Sequence, residues 1–303
     1  KHWYLPGFEG VPLYDVVRFF YRQVKTVGLT ERASAIAYNF IMAIPPSFLF
    51  LFTLIPNLPF IKKREIFKQL SLIIKDIIPA EGYNRTIITF IDKTFFQTPV
   101  FGLLSFGLLL ALFFASNAMM GLMRSFNKNY HGFERRVGLH TRWVAIRLTV
   151  LIFGLVLGCL VILITQGAVL KFFGLRSAFW LALILYLRWL VIIALIFYSI
   201  AFIYKYAPAV QKKWKLVSPG TILATFLCIA ASLGFSSFVN SFGRYNALYG
   251  SIGTIIVLMA LVFINSLVLL IGFELNVSIK TLKARAEQRD AKEKLQLAAQ
   301  KNT

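Results

Sequence analysis

The sequence predicts an all-α integral membrane protein: a polytopic bundle of six transmembrane helices with short interfacial amphipathic helices and both termini on the cytoplasmic side. Three observations predict it. Apolar residues come in long unbroken blocks rather than in amphipathic stripes. Charged residues make up 15% of the chain, well below the roughly one quarter usual in soluble domains. The Lys and Arg residues sit almost entirely between and outside the apolar blocks, where membrane topology concentrates them.

The first element, residues 11–25, sets Tyr14, Val17, Tyr21 and Val24 on one face, with Arg18, Arg22 and Lys25 elsewhere. That is the pattern of a helix lying in the membrane interface. Six blocks then reach the roughly 20 residues needed to cross a bilayer, near 36–56, 100–123, 148–170, 179–204, 217–239 and 249–273. In the long loop after the first block, residues 64–78 repeat Ile66, Leu70, Ile73 and Ile77 at helical spacing. Residues 84–96 do so more weakly with Ile87, Ile88, Ile91 and Phe95. Both segments are expected to lie on the outer membrane face or to cap the bundle. Residues 1–280 read as one membrane domain, and 281–303, rich in Ala, Lys, Glu and Gln, as a charged cytoplasmic tail, a solvated helix or disordered. No cleavable signal peptide is visible, so the first span is expected to direct insertion.

Orientation follows from the short connections. Arg124, Lys128, Arg135, Arg136, Arg142 and Arg147 precede the third span, against Lys171 and Arg176 after it. The positive-inside rule therefore puts both termini in the cytoplasm. A net charge of +21 invites a nucleic-acid reading, but the positions of the charges assign them to topology. No zinc-ligand spacing, helix-turn-helix pattern or RNA-binding aromatic signature accompanies them, so no nucleic-acid partner is expected. The basic loops are expected to attract anionic membrane lipid instead. Cys159 and Cys228 fall inside apolar blocks and read as free, buried thiols.

No constellation resembles an active site. His2, His131 and His140 lack an acidic partner at ligand spacing, and Glu134, near His131, sits in a strongly basic loop. No phosphate-binding loop occurs. The chain is read as a non-enzyme without catalytic residue, metal or cofactor. Polar residues inside the spans carry more information, because an ionised side chain at mid-bilayer costs roughly 3 kcal/mol. Arg188 lies well inside the fourth span, roughly 13 Å from its outer end at 1.5 Å per residue. It either snorkels outward or binds backbone carbonyls, or it lines a water-filled cavity and holds an anionic head group.

Asn39 beside Tyr38, Asn117, Asn265, Glu274 and Arg147 all map to the cytoplasmic half. Such groups need partners in lipid, so they are expected to point at one another. They either hold the bundle together or line a cavity open to the cytoplasm, with Arg188 further in. Carboxylates are otherwise missing from the spans, which disfavours a proton relay unless Glu274 serves. Pro45 and Pro46 remove two backbone donors in mid-span and should kink or break that helix. Gly154 and Gly158 fit a small-xxx-small packing pattern.

Three stretches carry a family resemblance. Ala35-Ile36-Ala37-Tyr38 with Pro46 opens the first span. Tyr204-Lys205-Tyr206-Ala207-Pro208 leads to Ser218-Pro219-Gly220 at the fifth. Tyr249, Gly250 and Gly253 begin the sixth span, and Gly272, Phe273, Glu274, Leu275 and Asn276 end it. Together they resemble the YihY/virulence factor BrkB family of inner-membrane proteins, formerly described as ribonuclease BN-like. The sequence departs from the family pattern at Asn39, where Tyr is common, at Leu261, where Trp is common, and at Pro45 and Asn265. The resemblance implies a six-helix fold, an association with envelope and virulence phenotypes, and a ribonuclease label that is a misassignment. The leading expectation is translocation of an amphipathic or anionic, lipid-like envelope molecule. The alternative is a non-transporting scaffold that binds envelope proteins.

Overall fold

Hydrocarbon offers the backbone no hydrogen bonds, so a spanning segment must satisfy its own N–H and C=O groups, and a helix does so. A computed structural model describes residues 7–26, 28–54, 101–127, 138–172, 178–210, 213–241 and 243–301, with a few more between 67 and 93. The long helices among them are α1 (Leu13–Thr26), α2 (Leu29–Leu54), α3 (Phe101–Phe126), α4 (Leu139–Phe172), α5 (Ala178–Tyr206), α6 (Pro219–Ser241) and α7 (Gly243–Lys301). Six of them, α2 to α7, contain stretches long and apolar enough to cross a membrane. With 14 residues, α1 is about 21 Å long and cannot.

The helices outrun the apolar blocks. α2 starts at Leu29 rather than near 36, and α4 at Leu139 rather than near 148. Hydropathy marks only the hydrocarbon, whereas a helix once nucleated propagates beyond it. The same effect joins the sixth span to the charged tail: α7 is a single helix of 59 residues, about 88 Å long. α2 runs through Pro45 and Pro46 without a break, although those residues cannot donate to the carbonyls of Ile41 and Met42. In the long loop, Phe67, Lys68, Ser71, Leu72 and Ile74 are helical, as are Arg85 and residues 87–89. Ile66, Leu70, Ile73, Ile77, Ile91 and Phe95 lie outside the described residues.

The chain divides into two units. The first comprises Lys1–Tyr38, Gly121–Val137 and Ile200–Thr303; the second comprises Asn39–Met120 and Gly138–Ser199. In the first unit α6 and α1 both pack on α7. Its core is aromatic: Phe273 of α7 stacks on Phe126 of α3 with ring centroids 4.0 Å apart, and Trp214 and Tyr204 close around it at 5.4 and 6.3 Å. In the second unit Phe50 of α2 meets Phe153 of α4 at 5.7 Å. At Gly107 of α3 the Phe50 backbone passes nearby: a Cβ there would lie in ordinary contact with the Phe50 Cα, at 3.6 Å. Phe106, Leu109, Tyr186 and Leu190 of the same unit are exposed, as a lipid-facing surface requires. Cys159 and Cys228 are free and buried.

Candidate functional site

Residues 269–283 of α7 carry much of the polar chemistry described for the first unit. Glu274 is fully buried and its Oε1 accepts from Arg32 Nη1 of α2 at 2.6 Å. The same guanidinium donates from Nη2 to the Ser125 carbonyl near the end of α3 at 2.5 Å. A charge withdrawn from water this way persists only when paired and hydrogen-bonded, because the interior gives it no other solvation. Two residues on, Asn276 faces α6. Its Oδ1 accepts from Gly220 N and its Nδ2 donates to Ser218 Oγ, both at 2.9 Å.

These contacts account for the Ser218-Pro219-Gly220 stretch. Ser218 caps α6: its Oγ accepts from Thr221 N at 3.2 Å, and its carbonyl accepts from Ile222 N. Pro219 has no N–H to satisfy at the first helical position. The remaining orphan donor, Gly220 N, goes to Asn276. The end of α6 is thereby closed by protein groups.

The two glycines permit the close approach. A Cβ on Gly272 would lie 2.6 Å from Ala224 Cβ, Gly220 O and Tyr204 Oη, and one on Gly220 would collide with Gly272 O. Tyr204 Oη donates to Leu269 O at 2.6 Å, and Asn127 Oδ1 accepts from Ala209 N at 2.9 Å, which seats the Tyr-Lys-Tyr-Ala-Pro segment. Just beyond, Val11 and Val16 pack on Ile279, and Lys280 and Lys283 both clasp Glu9. Burial pushes the Glu9 carboxyl up, but the two lysines outweigh it and hold the group below its ordinary value. Three turns of α7 thus touch α1, α2, α3, α5 and α6.

The second unit holds its polar groups differently. Arg142, in the first turns of α4, donates from Nη1 to Asn117 Oδ1 of α3 and lies 5.2 Å from the centre of the Phe113 ring. Arg142 and Asn117 are half-buried, and Phe113 is 53% exposed. Asn117 lies about 13 Å along α3 from its end at Phe126, so this guanidinium sits beside a mid-helix apolar surface. Arg188 on α5 is half-buried between the exposed Leu187 and Trp189. Arg147 is exposed, 5.8 Å from the ring of Trp143.

The residues singled out from sequence therefore find partners of different kinds. Glu274 is joined to Arg32, and Asn117 to Arg142. Asn265 Nδ2 donates to Leu261 O at 3.0 Å and to Ser232 Oγ at 3.4 Å. Tyr38 is exposed and Asn39 half-buried; Pro45 is exposed and Pro46 half-buried. Gly253 is buried, while the side chain of Tyr249 lies outside the described residues, as do His2, His131 and Glu134. His140 is exposed in the first turn of α4. Sequence reasoning missed Arg32, counted among charges outside the first span. Its signal was the spacing to Ile36: on a helix continued backwards both residues share a face, and both are buried. Arg142 was read as a loop charge, yet it reaches Asn117.

Fold and site together define a multi-pass α-helical membrane protein. Among the described residues no three His, Cys, Asp or Glu side chains converge as a metal site would need. The Virulence factor BrkB family matches residues 20–297, and the chain belongs to that family. A ribonuclease-like protein, YfkH, of Bacillus subtilis is 29% identical over 256 residues, covering 84% of this chain and 90% of its own. A UPF0761 membrane protein of Tolumonas auensis is 26% identical over 286 residues, covering 88% of both chains. Another, from Stenotrophomonas maltophilia, is 25% identical over 273 residues, 88% of this chain and 61% of its own. No solved structure matches.

Proposed function

We propose that the protein is a non-enzymatic translocator of an anionic, lipid-like molecule of the bacterial inner membrane, with both termini in the cytoplasm. The observation that carries this is the Arg142–Asn117 pair, a half-buried cation set beside the exposed face of Phe113. Lipid-facing arginines are expensive and concentrate where they meet head groups, water or a substrate path. Arg188 offers a second cation on the same unit. Because α4 and α5 are successive spans, Arg142 near the start of α4 and Arg188 in the first half of α5 fall in opposite leaflets. An anionic head group then finds one arginine on each side. The experiment is movement of labelled phosphatidylglycerol in proteoliposomes. Protein-dependent movement that Arg188→Ala slows at equal folded amounts supports the reading; wild type matching empty liposomes for several anionic head groups overturns it.

The scaffold reading has its own support. Residues 284–294 of α7 are exposed and charged, a helical stem beyond the apolar span that fits a partner protein. Removing residues 284–303 leaves translocation intact under the first reading and abolishes function under the second. The name of YfkH raises ribonuclease activity; purified protein that cleaves no RNA with divalent metal present disposes of it here.

A further inference from the structure

α1 uses one face on the protein and leaves another uncovered. Val16 is completely buried against Ile279 of α7, and Arg285 caps the Phe19 ring at 5.2 Å. Tyr14, Val17 and Tyr21 are nonetheless more than half exposed on the far side. At 100° per residue they form one strip, and Lys25, Arg18 and Arg22 form the next strip round. The sequence pattern had identified this apolar strip, yet it is not the one the protein covers. Large apolar side chains left exposed beside a basic strip call for an occupant.

Position selects the occupant. α1 ends at Thr26 and α2, a candidate span, begins at Leu29, so three Cα steps, at most about 11 Å, separate them. The link turns at Gly28, whose φ of +63° a residue with a Cβ adopts only under strain. α1 is thus tied at the point where the chain enters the bilayer, and it is too short to cross. Tyrosines with an apolar ring and a polar tip favour the head-group layer, and cations favour anionic lipid there. Lys25 Nζ already sits 4.4 Å from the centre of the Tyr21 ring, which joins the two strips.

We propose that the outer face of α1 docks on the anionic head-group layer of the bilayer, with Tyr14, Val17 and Tyr21 in the interface and Arg18, Arg22 and Lys25 on lipid phosphates. The clasp of Glu9 by Lys280 and Lys283 holds the other face to α7, so the membrane surface and the stem of the last helix are bridged. A soluble protein or a second copy would meet the same apolar strip without needing lipid charge. The cations distinguish them.

The full chain, labelled with an environment-sensitive fluorophore at Tyr21→Cys, is compared in nanodiscs of phosphatidylcholine and in nanodiscs containing phosphatidylglycerol. The buried Cys159 and Cys228 stay in place, and Glu293→Cys on the exposed stem serves as the control. The expected result is a blue shift at position 21 in anionic nanodiscs, lost in high salt and in Arg18→Gln/Arg22→Gln/Lys25→Gln, with no shift at position 293. Those three side chains are outside the α7-facing core, so the fold survives their exchange. Equal emission in the two lipids overturns the proposal. So does a shift that the triple variant retains, which would mark a protein partner or second copy on the strip.

Discussion

Two helical segments of this protein reverse each other. Around residues 269–280 of α7, the Glu274 carboxylate, the Asn276 amide and the Ser278 hydroxyl are buried and each makes a hydrogen bond within the protein. Along residues 186–193 of α5, Tyr186, Leu187, Trp189, Leu190 and Ile193 are exposed. In water the first would be a surface and the second a core. The difference shows where specificity resides in a membrane fold. Apolar side chains gain little by choosing protein over lipid, so helices are held in register by small residues and hydrogen-bonded groups.

That contrast can be broken from the α7 side. Glu274→Ala leaves Arg32 buried without its carboxylate, and losses of this kind cost about 3–5 kcal/mol. Thermal unfolding in detergent should show the largest drop there, and Arg32→Met/Glu274→Met should recover part of it. Gly220→Ala forces α6 off Gly272 O, and overpacking of this sort costs about 1–3 kcal/mol. Asn276→Ala uncaps Gly220 N and should cost about 1–2 kcal/mol.

Effects shrink towards the clasp and vanish on the lipid face. Because the folded-state value of Glu9 is depressed, its contribution is complete above the ordinary carboxylate value of about 4.3. It is lost as pH falls through the lower folded value. The groups are partly exposed, so Glu9→Gln at neutral pH should cost only about 0.2–1 kcal/mol, seen as faster hydrogen exchange in residues 8–16. Leu190→Ala on α5 should shift detergent unfolding by less than about 0.5 kcal/mol. A large shift there would mean that the strip packs on protein.

The six spans were legible because lipid demands long apolar helices, and the Gly272–Asn276 stretch was legible as a motif. Its pairing was not. A hydropathy reading starts the first span near 36 and so discards Arg32, the very partner Glu274 needs. Arg142 was lost in the same way, as a loop charge that in fact lies on α4 and reaches across to α3. Both errors have one origin: arginine is long enough to act a turn or more from its own backbone. Helix facing, which decides that Val16 rather than Tyr21 meets α7, requires the tertiary contacts themselves.

On the translocator proposal, the buried Arg32–Glu274 pair holds the fold while the half-buried Arg142 of the second unit carries translocation. The most direct measurement is anionic-lipid translocation per folded molecule for Arg142→Gln and Glu274→Gln. Arg142→Gln is expected to lose translocation with its unfolding midpoint near wild type, and Glu274→Gln to lower the midpoint while its folded molecules keep the rate. Folded Glu274→Gln that is inactive, beside an active Arg142→Gln, would contradict the proposal.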